Sequence, residues 1–217
     1  AKKNAEESQK IADKKTAEAQ EERKVIAKDQ KEVQDKEAAQ AKMTTEYGLT
    51  LIDDAGLYSR IVKFNIEDGK SIKDSPVTTI RNRTAYKEGD AFIAVCGENI
   101  LNGTVKLVLI DKDSLEITNE SNETLSDLSV LVKDGSDYYC VIISEGKFYA
   151  AKYGADLKLK VRSTIQVKPA TPITITDSGV VVTNSKGKFT VLSKDKLEPI
   201  GGSVDDSDLS FPFVNDK

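Results

Sequence analysis

Histidine and tryptophan are absent from this 217-residue sequence, and it carries one methionine, two cysteines and five prolines. Without histidine there is no Ser-His-Asp triad, no Cys-His dyad and no histidine-ligated zinc centre. Two cysteines do not make a disulfide scaffold. Long hydrophobic runs are missing as well. Stretches such as Phe92 to Cys96 and Tyr138 to Ile143 fall far short of the roughly 20 apolar residues that a helix needs to cross a bilayer, so this chain has no membrane span. An excess of positive charge is also lacking. The 32 Lys and Arg face 36 Asp and Glu, for a net charge of -4. That balance argues against nucleic acid as a partner, because displacing phosphate counterions takes a basic surface. The first residue is Ala1 rather than Met, which reads as a fragment or a processed form that lacks its signal.

What is present is unevenly distributed. All 13 Gly, all 5 Pro and all 13 Phe and Tyr follow residue 46. Residues 1–43 hold 11 Lys or Arg and 10 Asp or Glu, with Ala and Gln filling most of the remainder. These are strong helix formers, and nothing among them breaks a helix. The composition predicts a long charged helix over residues 1–45. Ala5, Ala12, Ala19, Ile26 and Val33 form a seven-residue stripe, but the positions three further on are Ser8, Lys15, Glu22, Asp29 and Lys36. A stable coiled coil wants both positions apolar. The expectation is therefore a solvent-exposed stalk or the end of a weak coiled coil, with helix-mediated self-association as its functional counterpart.

Residues 46–217 alternate short β-type runs with turn clusters. They also repeat. Gly146-Lys147-Phe148 recurs as Gly187-Lys188-Phe189, and Ser126-Asp127-Leu128-Ser129 recurs as Ser207-Asp208-Leu209-Ser210. Turn units rich in Asp and Lys close on Ile72, Leu115, Leu157 and Leu197, at spacings of 43, 42 and 40. Several short strands per unit at a period near 41 is a propeller signature. The expected fold is mainly β with a long N-terminal helix. Its β part, residues 46–217, would be a small propeller of four blades of about 41 residues, closed by the C-terminal strand from Ser207 to Val214.

Chemistry is harder to find. Asp205, Asp206 and Asp208 cluster, as do Asp53 with Asp54 and Asp111 with Asp113, but all lie in polar turn segments where Asp is a turn former. No pair carries the marks of a glycosidase acid and base, and no loop has the EF-hand spacing. Cys96 and Cys140 sit in apolar runs and read as buried free thiols. Gly201-Gly202 lacks the Lys and helix of a phosphate loop. Lys158, Lys160 and Arg162 alternate along one strand, and Arg81 and Arg83 along another. Exposed strand faces account for both, with anion or polyanion binding as the sharper reading. Tyr138 and Tyr139 straddle a strand, one facing each side. Four N-x-Ser/Thr patterns, at Asn82, Asn102, Asn119 and Asn122, are equally well explained by turn chemistry. The sequence assigns no catalytic, cofactor-binding or metal-ligating residue, and no cofactor.

The order of the chain carries a resemblance. A helical stretch, Lys28-Asp29-Gln30-Lys31-Glu32-Val33-Gln34-Asp35-Lys36-Glu37, precedes β repeats containing Leu107-Val108-Leu109-Ile110-Asp111-Lys112-Asp113-Ser114-Leu115. This resembles the C-terminal part of the spirochaete eighty-three/hundred-kilodalton antigen family of Borrelia and Treponema, in which a charged helical middle precedes a globular end. The resemblance implies a cell-envelope, periplasmic or vesicle-associated antigen without an assigned enzyme activity. The leading expectation is a non-enzymatic interaction module that binds a protein or glycan ligand through the β domain. A carbohydrate-active enzyme using turn carboxylates and a purely structural oligomerising protein are the alternatives.

Overall fold

Apolar runs that are buried on both sides organise the β part. In the computed structural model, which describes residues 21–33, 44–53 and 55–205, sixteen strands form three antiparallel sheets. The first holds β1 (Thr45–Leu51), β2 (Tyr58–Asn65), β3 (Ser71–Asp74), β4 (Ile80–Glu88), β5 (Ala91–Cys96), β6 (Lys106–Asp111) and β7 (Ile117–Glu120). Its order is β1-β2-β4-β5-β6-β7, with β3 on β2. The second holds β8 (Thr124–Leu125), β9 (Val132–Asp134), β10 (Asp137–Ser144), β11 (Lys147–Tyr153) and β12 (Leu159–Arg162), and the third β13 (Thr174–Ile175), β14 (Val180–Thr183), β15 (Lys188–Leu192) and β16 (Val204–Asp205).

β5 of the first sheet and β10 of the second each alternate between two cores, as the two-residue period of a strand requires. On β5, Ile93 and Val95 point into the core shared with the second sheet, while Phe92, Ala94 and Cys96 point into a core of the first sheet alone. On β10, Tyr138, Cys140 and Ile142 join that shared core, while Tyr139 and Val141 meet Val180, Val182 and Leu192 of the third sheet. The second sheet is therefore covered on both faces. Its hairpin turns on Glu145 and Gly146, at φ 52° and 71°, the pair of positive values that a two-residue turn between twisted strands demands.

The sequence repeat has a physical basis. Leu115, Leu157 and Leu197 are buried and all adopt left-handed backbone, at φ 58°, 60° and 54°. Each side chain closes the core beneath its turn. The amides of Leu115 and Leu197 donate to the carbonyls of Asp111 and Ser193, and that of Leu157 to Gly154. Ile72 does not belong to this series, because it is 42% exposed on β3. In the first turn Gly69 takes the position instead, at φ 67°, its amide donating to Asn65.

Two expectations are corrected. The three sheets are open, and none closes into a ring. The four-bladed propeller also fails at its first unit. Tyr58 and Ser59 of β2 pair with Arg81 and Ile80 of β4, so the expected first blade is hydrogen-bonded into the second and the two make one seven-stranded sheet. The expected closing strand, Ser207 to Val214, lies outside the described residues. The long N-terminal helix is likewise replaced by a helical segment over residues 21–33, about 20 Å in length at 1.5 Å per residue. At its far end Thr45 already opens β1, and residues 1–20 and 34–43 of the expected span lie outside the described residues. On this segment Val25, Ile26 and Val33 are each 55% exposed, so no burial reinforces it, and packing is what stabilises most helices in proteins.

The chain divides into two compact units. One comprises residues 1–46 with 65–70, the other residues 47–64 with 71–217. Among the described residues, no helix is long and apolar enough to cross a membrane.

Candidate functional site

The residues that first suggested chemistry are mostly committed to structure. Asp53 accepts the amides of Leu57 and Tyr58. Asp111 accepts those of Asp113 and Ser114, which hold its carboxyl below the usual carboxylate range. Asp113 offers its carbonyl to Lys73 at 2.7 Å. Asp205 ends β16, and Asp54, Asp206 and Asp208 lie outside the described residues. Glu88 also titrates low, through its hydrogen bond from Lys133 and then that from Tyr138. A glycosidase acid needs the opposite shift.

Cys96 and Cys140 are free and buried, and they face different cores. Burial pushes the Cys96 thiol up to about 12 and that of Cys140 upward as well. Neither is poised as a nucleophile. Tyr138 and Tyr139 do face opposite sides of β10.

The two basic stripes divide. Lys158 pairs with Asp156 at 3.3 Å, and Lys160 pairs with Asp137 at 2.5 Å. Arg81 is only 3% exposed, contrary to an exposed strand face. Its guanidinium donates to the carbonyls of Gly97, Glu98 and Asp127 and to the Tyr58 hydroxyl. Arg81 thus clamps the first sheet to the Ser126–Ser129 bend between β8 and β9 of the second. Arg83 stays exposed. Arg162 stacks over the ring of Tyr149, with its guanidinium carbon 4.4 Å from the centroid.

That stack borders a cleft of about 640 Å³ between the second and third sheets. Tyr149 of β11 forms one side, Thr164, Ile165 and Gln166 follow β12, and Asn184, Ser185, Lys186 and Lys188 come from the turn into β15, with Thr190, Pro199 and Ser203 behind. Among the described residues, no acidic side chain lines it. Asn184 builds the turn. Its Oδ1 accepts the amides of Lys186 and Lys188 at 2.9 and 3.1 Å, and its Nδ2 donates to Thr190 Oγ1 at 3.0 Å. Thr190 and Ser203 share a hydrogen bond of 2.9 Å, and the Ser185 amide donates to the Gln166 carbonyl, which ties the turn to the facing wall. These bonds leave other groups open. Among the described residues, the side chains of Thr164, Gln166, Ser185 and Lys186 and the Tyr149 hydroxyl have no hydrogen-bond partner.

The cleft therefore offers hydroxyls, one amide and the exposed Lys186 on a frame fixed by hydrogen bonds. Its volume falls within the range of small-molecule sites, but its lining is more polar than most. Sequence reading missed it, because Tyr149 and Ser203 meet only through the docking of two sheets. The one local signal was the Asn184-Ser185-Lys186-Gly187 turn.

Comparison with known proteins gives two kinds of result. The model of the Borrelia P83/100 protein family matches residues 1–173. No curated protein matches the chain. Solved structures that resemble it include the computationally designed Ika8 protein, at 10% identity and TM-score 0.44, covering 70% of this chain and 47% of that one. BamB from Moraxella catarrhalis follows at 12% identity and TM-score 0.33, covering 71% and 60%. The HIRA fragment 644–1017 stands at 18% and 0.31, covering 76% and 51%. The chain thus spans about half of the Ika8 and HIRA chains and 60% of the BamB chain.

Proposed function

Because the chain belongs to the Borrelia P83/100 protein family, we propose that it is a non-enzymatic cell-envelope protein whose β domain, residues 46–217, is an interaction module, with residues 1–45 as a charged segment that spaces it from the rest of the envelope. The observation that carries this reading is the cleft between the second and third sheets, which is polar, framed by hydrogen bonds and, among the described residues, lined by no carboxylate. Such a lining can hold a hydroxyl-rich or anionic ligand, but it supplies neither the acid nor the base of glycoside hydrolysis. The direction of the carboxylate shifts elsewhere supports the same reading.

A glycan panel probed with the 217-residue chain and with Ser185→Trp tests it. Ser185 is exposed and its hydroxyl is unused, so the indole fills the cleft without removing a structural bond. Ligands retained by the wild type and lost by the variant are expected. An identical profile for the two proteins would remove the cleft from the function.

A further inference from the structure

We propose that Asn102 is a site of spontaneous covalent modification, in which its side chain closes on the Gly103 amide to a cyclic imide that water opens to aspartate or isoaspartate. Asn102 is not part of the cleft lining. Asn102-Gly103 is the one Asn-Gly pair in the sequence, and asparagine is among the thermolabile residues. Attack by a backbone nitrogen is hindered by the side chain that follows, and glycine has none, so close approach is open. This asparagine is also unoccupied. It ends the 3-10 turn Ile100–Asn102, in which no residue is buried, and is itself exposed. Among the described residues, its side chain has no hydrogen-bond partner. Other asparagines are committed. Asn65, Asn99 and Asn119 accept backbone amides, Asn82 donates to the Ser129 carbonyl, and Asn184 holds its own turn. Asn122 makes no such bond, but Glu123 follows it. The Gly103 amide donates to the Ile100 carbonyl at 3.0 Å, so attack requires that bond to open. A short exposed 3-10 turn is the kind of element that opens locally with ease. The Gly103 nitrogen then gives up its proton and bonds to Cγ of Asn102. The bond from Cγ to the side-chain nitrogen breaks, and ammonia departs with that proton. Water adds at either imide carbonyl. Opening at Cγ leaves the main chain intact and gives aspartate, whereas opening at the main-chain carbonyl gives isoaspartate, with the chain running through Cβ. No electron is gained or lost, and water is the co-reactant. Both products place a carboxylate beside Leu101, which is 89% exposed. Isoaspartate also lengthens the backbone at the Gly103 to Ile100 bond.

The test is peptide mapping by mass spectrometry of the 217-residue chain, held at physiological temperature and mildly alkaline pH, once native and once in urea. Electron-based fragmentation distinguishes isoaspartate from aspartate. Native Asn102 is expected to convert to a mixture of the two, adding a negative charge to a net of -4. Native Asn184 should lag at least about tenfold, because its side chain must first release its hydrogen bonds. Urea should speed Asn102 by no more than about tenfold, the value of one hydrogen bond, and Asn184 by more. Asn102→Gln lengthens the side chain past the favoured ring, so this position should stay unmodified over the same period. The variant should unfold like the wild type, since the Asn102 side chain carries no structural bond. An Asn102 that stays intact in the native chain yet converts in urea overturns the proposal, because the turn would then protect it. Aspartate without isoaspartate would show direct hydrolysis of the side-chain amide and overturn the imide.

Discussion

The guanidinium of Arg162 lies 4.4 Å from the ring centroid of Tyr149, on adjacent strands of the second sheet at the border of the cleft. The pair fixes a cation beside a hydroxyl that has no partner of its own. Tyr149→Phe keeps the stack and removes only the hydroxyl, whereas Tyr149→Ala removes both. We expect Tyr149→Phe to unfold like the wild type. Tyr149→Ala should lose about 1 kcal/mol from the stack, in addition to the lost ring burial. Urea unfolding of the two variants checks this.

The left-handed leucines make a second test. Leu157 is buried at φ 60°, so Leu157→Ala should cost about 2–5 kcal/mol for the lost side chain. Glycine is normally worse than alanine, yet here it relieves about 1 kcal/mol of backbone cost. Leu157→Gly should be no less stable than Leu157→Ala. A clearly less stable glycine variant would show that the leucine turns carry no such strain.

Arg81 gives a third. Replacing it by Met leaves the carbonyls of Gly97, Glu98 and Asp127 without their donors. A loss of about 3 kcal/mol is expected. Arg83→Met, at an exposed neighbour, should stay within about 0.5 kcal/mol of the wild type. Equal effects in a denaturant titration would refute the clamp.

The cluster of Glu88, Lys133 and Tyr138 sets a pH window. Lys133 and then Tyr138 hold the Glu88 carboxyl below its ordinary 4.5. Its contribution is therefore present above about 4.5 and lost as pH falls through the lower folded value. Lys133 is raised above 10.5, chiefly by Glu88, and burial raises Tyr138 above 10.0. Their contributions are complete below those values and fade as pH rises through the folded ones. Glu88→Gln should flatten the acid limb of a stability-versus-pH curve. A variant that keeps the wild-type slope below 4.5 would contradict this.

Cys96 and Cys140 provide a reactivity test. Their buried thiols should resist iodoacetamide in the native protein near neutral pH and both react in urea, read by intact mass. Rapid native labelling of either would show that its core is open.

Much of the β architecture is legible in the sequence. The apolar runs at Phe92, Tyr138 and Val180 become β5, β10 and β14, because strands covered on both faces read as continuous apolar segments. The turns at Gly146 and Gly187 are legible for the same local reason. Sheet closure is not local. Nothing near Tyr58 announces its pairing with Arg81, and that pairing merges two repeats into one sheet. Ile72 looked like the fourth member of the leucine series, because a glycine at the left-handed position leaves no apolar letter to count. Arg81 alternates with Arg83 as though exposed, yet carbonyls from a distant bend bury it. The cleft was invisible, since Tyr149 and Ser203 belong to different sheets and no motif spans them.

Calorimetric titration of the 217-residue chain with a hyaluronan tetrasaccharide, run beside Ser185→Trp, addresses the binding-module reading most directly. A one-to-one isotherm for the wild type is expected, lost in the variant, with the saccharide recovered at unchanged mass. An isotherm that survives Ser185→Trp, an absence of binding, or a cleaved saccharide would contradict a non-enzymatic module that binds through this cleft.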